Sequence, residues 1–271
     1  MKKCSIQNLG MIVTHKCNLD CAHCLMGKKE DKCMSDNVIE ATLDQTSYIG
    51  NLAITGGEVT LAVDRIKKII SYVIENHIKI DEFTVTINGT IYSKELLELL
   101  DEIDCYMGND EDSTLLAISL DNYHIAEIKR LGLEEEFIEN TKRYQESKYF
   151  YEFRRITKKM FREGNAVNLD EKLTVPLRPM KDLITYVGKN GKLDLENGLC
   201  NIGPLVSINA DGIITDCNAS IVNQQNLYNY GNILNDSIEE VFLNRGAQIL
   251  KPRKFEKTSY KTLKKIWTYN K

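Results

Sequence analysis

Cys17-Asn18-Leu19-Asp20-Cys21-Ala22-His23-Cys24 brings three thiols within eight residues, at the spacing C-x3-C-x2-C. Thiolates bind zinc and iron-sulfur clusters, and four of them close either a structural zinc site or a 4Fe-4S cluster. Three leave one iron of a cluster without a protein ligand. Such an iron can take a small molecule through hard atoms, an amine and a carboxylate, and becomes a place for chemistry rather than structure. A zinc site in which His15 or His23 joins Cys17, Cys21 and Cys24 is the competing reading. It explains the thiols, but zinc modules usually show paired C-x2-C knuckles, and no second pair occurs in the sequence.

Other residues of chemical interest are scattered along the chain. Gly56-Gly57-Glu58 combines two glycines, which let backbone come close to a ligand, with a carboxylate suited to a neighbouring ammonium group. Asn88-Gly89 and the Ser119-Leu120-Asp121 segment end apolar runs, where they could equally be ordinary turn and packing residues. Cys200 and Cys217 stand in the arrangement C-x11-G-x4-C around Gly212, with no cysteine after them. Cys4, Cys33 and Cys105, taken singly, are expected to be ordinary buried or surface thiols.

These residues need a scaffold, and the hydrophobic pattern supplies one. Short apolar runs alternate with helical periodicities, the sequence form of repeated βα units in an α/β protein. Strands are expected over Leu9 to Val13, Asn51 to Thr55, Glu82 to Ile87 and Leu115 to Leu120. The recurrence of Ile66, Ile69, Ile70, Val73 and Ile74 predicts a helix over residues 61 to 78, and Leu96, Leu97, Leu99, Leu100 and Ile103 mark another. Asn122 to Lys159 reads as mostly helical and charged, and Ala166 to Val175 as a later strand. Pro204 to Cys217 predicts a hairpin turning at Asp211-Gly212, and Ser237-Ile238-Glu239-Glu240 has the form of a capping box opening a helix.

The cysteine loop after the first strand, with the aromatic-type His23 before its third cysteine, resembles the signature of the radical S-adenosylmethionine (radical SAM) superfamily. Gly56-Gly57-Glu58 after the second strand resembles the family's methionine-binding segment, although Val59 stands where the family often has Pro. Thr86 to Thr90 and Ile118 to Asp121 resemble the ends of the third and fourth barrel strands, where the family places groups near methionine or ribose.

That resemblance implies a partial (β/α)6 TIM-like barrel over residues 1–195, followed by a small α+β extension with a β-hairpin over 196–271. It implies a 4Fe-4S cluster on Cys17, Cys21 and Cys24, and S-adenosylmethionine held by His23, Gly56, Gly57, Glu58, Asn88, Ser119 and Asp121. The chemistry implied is reductive cleavage of S-adenosylmethionine to methionine and a 5'-deoxyadenosyl radical, which removes a hydrogen atom from a substrate carbon. The electron would come from a donor such as flavodoxin or ferredoxin. The Cys200 and Cys217 pattern resembles the opening of the SPASM and twitch extensions, leaving three readings. The pair is vestigial, it holds an incompletely ligated auxiliary cluster, or Cys217 donates a hydrogen atom to a substrate radical. Such extensions point to a peptide or natural-product precursor as substrate; a small sugar or amino acid is the alternative, and a catalytically silent binding protein a different class.

Composition bounds these readings. The 271 residues, 42% hydrophobic and 27% charged, suit a globular protein with a sizeable core. With no apolar run of membrane length and no signal-like N-terminus, the expectation is a cytoplasmic protein with reduced thiols and no membrane or nucleic-acid partner. The net charge of -4 hides a basic end: residues 251–271 carry +7 and leave the other 250 residues at -11. Tyr260, Leu263 and Trp267 in that end are spaced for a short amphipathic helix.

Overall fold

The computed structural model describes residues 3–108, 113–155, 159–176, 183–189, 192–215 and 229–250. Cys217 and the basic end, with Tyr260, Leu263 and Trp267, lie outside the described residues. Its framework is a series of parallel strands joined by helices. In chain order these are β1 (Cys4–Ile12), α1 (Asp36–Asp44), β2 (Thr46–Thr55), α2 (Val63–Glu75), β3 (Lys79–Ile87), α3 (Lys94–Met107), β4 (Thr114–Ser119), α4 (Asn122–Leu131), α5 (Glu134–Gln145) and β5 (Phe150–Arg154). Neighbours in the order β1-β2-β3-β4-β5 all pair parallel, giving a partial TIM-like barrel.

The first four expected strands are present, and β1, β2 and β3 are longer than their apolar runs. β1 is buried along almost its whole length, as expected of a parallel strand covered on both faces. α2 is shorter than the predicted 61–78, because a 3-10 turn over Val59–Leu61 precedes it. Its Ile66, Ile69, Ile70 and Val73 are fully buried, each side chain contributing roughly 1.5–3 kcal/mol against exposure. α1 carries no strong sequence signal but has a built start, the Ser35 hydroxyl accepting from Val38 N–H.

One expectation is refined and one corrected. Asn122 to Lys159 is mostly helical, as α4 and α5, but Phe150–Arg154 forms β5 by pairing with β4. Ala166 to Val175 is not one strand but 3-10 turns over Gly164–Asn168 and Glu171–Leu173, followed by a two-residue strand. That strand, β7 (Thr174–Val175), pairs with β6 (Met160–Phe161) in a separate small sheet.

The last third returns to the other side of β1. Here β8 (Leu183–Val187) runs antiparallel to β9 (Leu199–Gly203), and β9 lies parallel to the start of β1. Beyond Pro204, β10 (Val206–Ile208) lies parallel to the second half of β1 and turns back into β11 (Ile213–Thr215). The hairpin turns where the sequence places it: Gly212 has φ +80, and Asn209 Oδ1 accepts from Asp211 and Ile213 N–H. β12 (Gly231–Asn232), α6 (Ile238–Asn244) and β13 (Gln248–Ile249) complete the described chain, with Ser237 capping α6 as its motif predicts. Among the described residues, no helix is long and apolar enough to cross a membrane.

Candidate functional site

The parallel register places the ends of β1 to β4 side by side, and the residues singled out in the sequence follow those ends. The cysteine loop leaves β1 and returns through residues 30–34: Met34 N–H donates to Val13 carbonyl, and Thr14 Oγ1 to Lys32 carbonyl. His15 is bound into that return at Glu30, and burial holds its pKa below the usual value.

Gly56 and Gly57 are required by this loop. Gly57 N–H donates to Thr14 carbonyl at 2.7 Å and Glu58 N–H to Lys16 carbonyl at 2.6 Å, continuing the β1–β2 ladder into the loop. A Cβ on Gly57 would stand 2.1 Å from Lys16 carbonyl oxygen, and one on Gly56 2.6 Å from that of Thr14. Only glycine lets the two backbones approach so closely. From the opposite side, Asn165 holds the loop through bonds to the Cys21 and Cys24 carbonyls.

The three thiols come together in a small apolar cluster with Leu19 and Ile128. Burial pushes the Cys17 thiol up to about 11 and also raises those of Cys21 and Cys24, and proximity to the other thiols adds to the rise at Cys17 and Cys21. A bound metal cation displaces such protons and stabilises the thiolates. Backbone N–H groups of Leu19, at Cys17, and of Met26 and Gly27, at Cys24, point at the sulfurs and favour thiolates there.

Glu58 is fully buried beside them. Its Oε1 accepts from Thr60 N–H and Oγ1, and Oε2 accepts from Asn88 N–H at 2.7 Å, which ties the end of β2 to the end of β3. Burial raises its pKa against these bonds, and the charge of His124 acts in the opposite direction. Asn88 in turn donates to Asn18 Oδ1 at 2.8 Å and lies 3.9 Å from Cys17 Sγ. Glu58, Asn88 and the first ligand candidate thus form one connected group.

Asp121 caps α4, its Oδ1 accepting from Tyr123 and His124 N–H. Its Oδ2 receives His124 Nδ1 at 2.7 Å and His23 Nε2 at 3.2 Å. Burial alone would raise the Asp121 pKa, but these histidine bonds outweigh it and hold the carboxyl well below the usual range. His23 stacks on Tyr123 with ring centroids 5.0 Å apart, and its buried Nδ1 has no partner among the described residues. Ser119 ends β4 and is half-buried near this group in sequence.

The structure brings together Cys17, Cys21, Cys24, His23, Gly56, Gly57, Glu58, Asn88 and Asp121, and leaves Cys200 elsewhere, beside Cys4 on β1. Sequence reasoning missed His124, whose ring joins His23 and Cys21 in a group with ligand atoms within 4.8 Å. The spacing Asp121-x-x-His124 at a helix start was the available signal. It also missed Glu127, which accepts from Asp20 N–H inside the loop and is paired with Arg130.

The family model of the radical SAM superfamily matches residues 11–151. A protein of Methanocaldococcus jannaschii, described as uncharacterized, is 27% identical over 129 residues, 46% of this chain. The chain covers 42% of the length of that relative. Among solved structures, anSMEcpe with bound AdoMet and the Cp18Cys peptide superposes with a TM-score of 0.49 at 14% identity, covering 88% of this chain and 80% of that one. Streptococcus suis SuiB bound to the precursor peptide SuiA gives a TM-score of 0.42 at 13% identity, over 88% and 64%.

Proposed function

The chain belongs to the radical SAM superfamily, whose enzymes use a 4Fe-4S cluster and S-adenosylmethionine, and on that premise we propose that Cys17, Cys21 and Cys24 hold the cluster. The observation that carries this assignment is the three thiols packed together, Cys21 buried and Cys17 and Cys24 half-buried, with the fully buried Glu58 at the ends of β1 and β2. The donor set fits, because three thiolates serve three irons and leave one for an amine and a carboxylate. When bound, the cluster would supply the one-electron reduction of the S-adenosylmethionine sulfonium, radical chemistry suited to removing hydrogen from a substrate carbon.

The chain's own groups bind and orient. Glu58, whose bonds to Thr60 and Asn88 leave a carboxylate lone pair, would hold the amino group of S-adenosylmethionine. Gly56 and Gly57 set the height of the loop, and Asn88 fixes Asn18 beside Cys17. Ionised Asp121 keeps a proton on His23 Nε2, so Nδ1 presents a lone pair to an N–H donor such as the adenine amine. Asp121 already receives four donors and acts as a positioning residue for His23 and His124. Ser119 at the end of β4 is assigned to the ribose side of the same site.

Residues 1–195 constitute the barrel unit in this proposal, and 196–271 an extension whose β9 and β10 share its sheet. The likeness of the Cys200 and Cys217 spacing to the opening of a SPASM extension is what favours a peptide or natural-product precursor as substrate, and flavodoxin or ferredoxin in a reducing cytoplasm is the electron donor this reading takes. Anaerobic reconstitution followed by reduction tests the reading. Formation of 5'-deoxyadenosine that is accelerated by a peptide supports it; equal rates with and without every peptide tried would refute the substrate assignment.

A further inference from the structure

A second group of metal-ligating side chains lies at the other end of β1. Cys4 opens β1 and Cys200 lies directly beside it on β9. Both are buried, at 1% and 0% exposure, and Glu239 of α6 reaches them. The two sulfurs and a carboxylate oxygen all lie within 4.8 Å of one another. The length of β1 puts this group about 26 Å from the cysteine loop, at roughly 3.3 Å per residue.

We propose that Cys4, Cys200 and Glu239 form a mononuclear site for a thiophilic divalent cation, zinc by the chemistry of its donors. Thiolate and carboxylate are each ligand types that zinc takes, and tetrahedral zinc with Zn–S near 2.3 Å sets its ligand atoms about 3.8 Å apart. The group therefore needs an inward movement of about 1 Å at most.

The surroundings are built to hold that geometry. Gln45 carbonyl accepts from Cys4 N–H, its side-chain oxygen accepts from Ile238 N–H, and its amide donates to Asp236 carbonyl. One residue thus fixes the start of β1 against the start of α6. Tyr186, across from Cys200 on β8, hydrogen-bonds Glu239 and orients its carboxylate, as partners of metal-binding carboxylates do. Two thiols could fill a core as small hydrophobes, but a carboxylate held by Tyr186 within 4.8 Å of both sulfurs adds a third metal-ligating group to them. Glu239 is half-buried and gives a path from solvent, with water as the fourth ligand.

The test uses the full chain with its cluster loaded, equilibrated anaerobically with zinc and passed through a desalting column before zinc, iron and thiol analysis. The expected result is about one zinc per chain with iron unchanged, and a higher melting temperature. Cys200→Ser should retain none, and Glu239→Gln, which keeps both thiols in the core, should bind more than about tenfold more weakly. Cys105→Ser, at an exposed thiol, should match the wild type. Zinc retention independent of Cys200 and Glu239 would overturn the site. So would zinc gained in step with iron lost, a Cys4–Cys200 disulfide in anaerobic protein, or iron near eight per chain that falls to about four in Cys200→Ser.

Discussion

Replacing Glu58 by Gln separates its two roles, bracing the fold and receiving the cofactor. The carboxylate accepts from Thr60 N–H and Oγ1 on one oxygen and from Asn88 N–H on the other. A Gln oxygen can keep the Thr60 bonds, but its NH2 then faces Asn88 N–H, leaving a buried donor unsatisfied at a cost of about 1–3 kcal/mol. Removing a desolvated charge offsets part of that cost, so the unloaded variant should lose less than about 3 kcal/mol.

The sign of the pH dependence follows from the raised Glu58 pKa. Ionisation penalises the folded state, so the wild type loses stability as pH rises from the unfolded carboxyl value through the folded one, and the variant does not. Cofactor affinity moves the other way, because only the ionised group makes a charge-assisted bond, worth about 1.5–3 kcal/mol. Calorimetric titration of S-adenosylmethionine into cluster-loaded, unreduced protein should show roughly 10- to 150-fold weaker binding by Glu58→Gln at neutral pH. That gap should narrow as pH falls through the Glu58 pKa. Unchanged affinity, or a gap independent of pH, would refute the reasoning.

Gly57→Ala places a methyl 2.1 Å from Lys16 carbonyl oxygen; it should destabilise the protein by at least about 1–3 kcal/mol and lower iron content, measured by thermal melts and iron analysis. Asp121→Asn keeps a competent helix cap but replaces the anionic acceptor of the His23 and His124 hydrogen bonds by a neutral one. Because the Asp121 pKa is depressed, the wild type should exceed this variant in stability above about pH 4, and the difference should vanish as acid protonates Asp121. Asn88→Ala removes the contact to Asn18 while leaving the backbone bond to Glu58, so cluster retention during desalting should fall more than cofactor affinity in the loaded fraction.

What the sequence made legible was local. The spacing of Ile66, Ile69, Ile70 and Val73 dictates a helix face, and Asp211-Gly212 dictates a turn, whatever lies around them. The cysteine loop and Gly56-Gly57-Glu58 were legible because their residue types answer to one chemistry. β5 was not, since Phe150–Arg154 is a strand only through its register with β4. The glycines had a second reason that sequence alone could not give, the contact with the Thr14 and Lys16 carbonyls. That Cys200 neighbours Cys4 on the sheet was not legible either, because the pairing depends on β9 returning beside the first strand.

The central claim, a three-thiolate cluster that cleaves S-adenosylmethionine, is tested most directly by one comparison. Wild type and Cys24→Ala are reconstituted anaerobically, counted for iron and sulfide, reduced, and assayed for 5'-deoxyadenosine. The account predicts about four irons and four sulfides at the loop and steady 5'-deoxyadenosine formation in wild type, with both lost in the variant. Full cleavage by Cys24→Ala, or a wild type that takes up zinc at the loop and forms no 5'-deoxyadenosine, would contradict it.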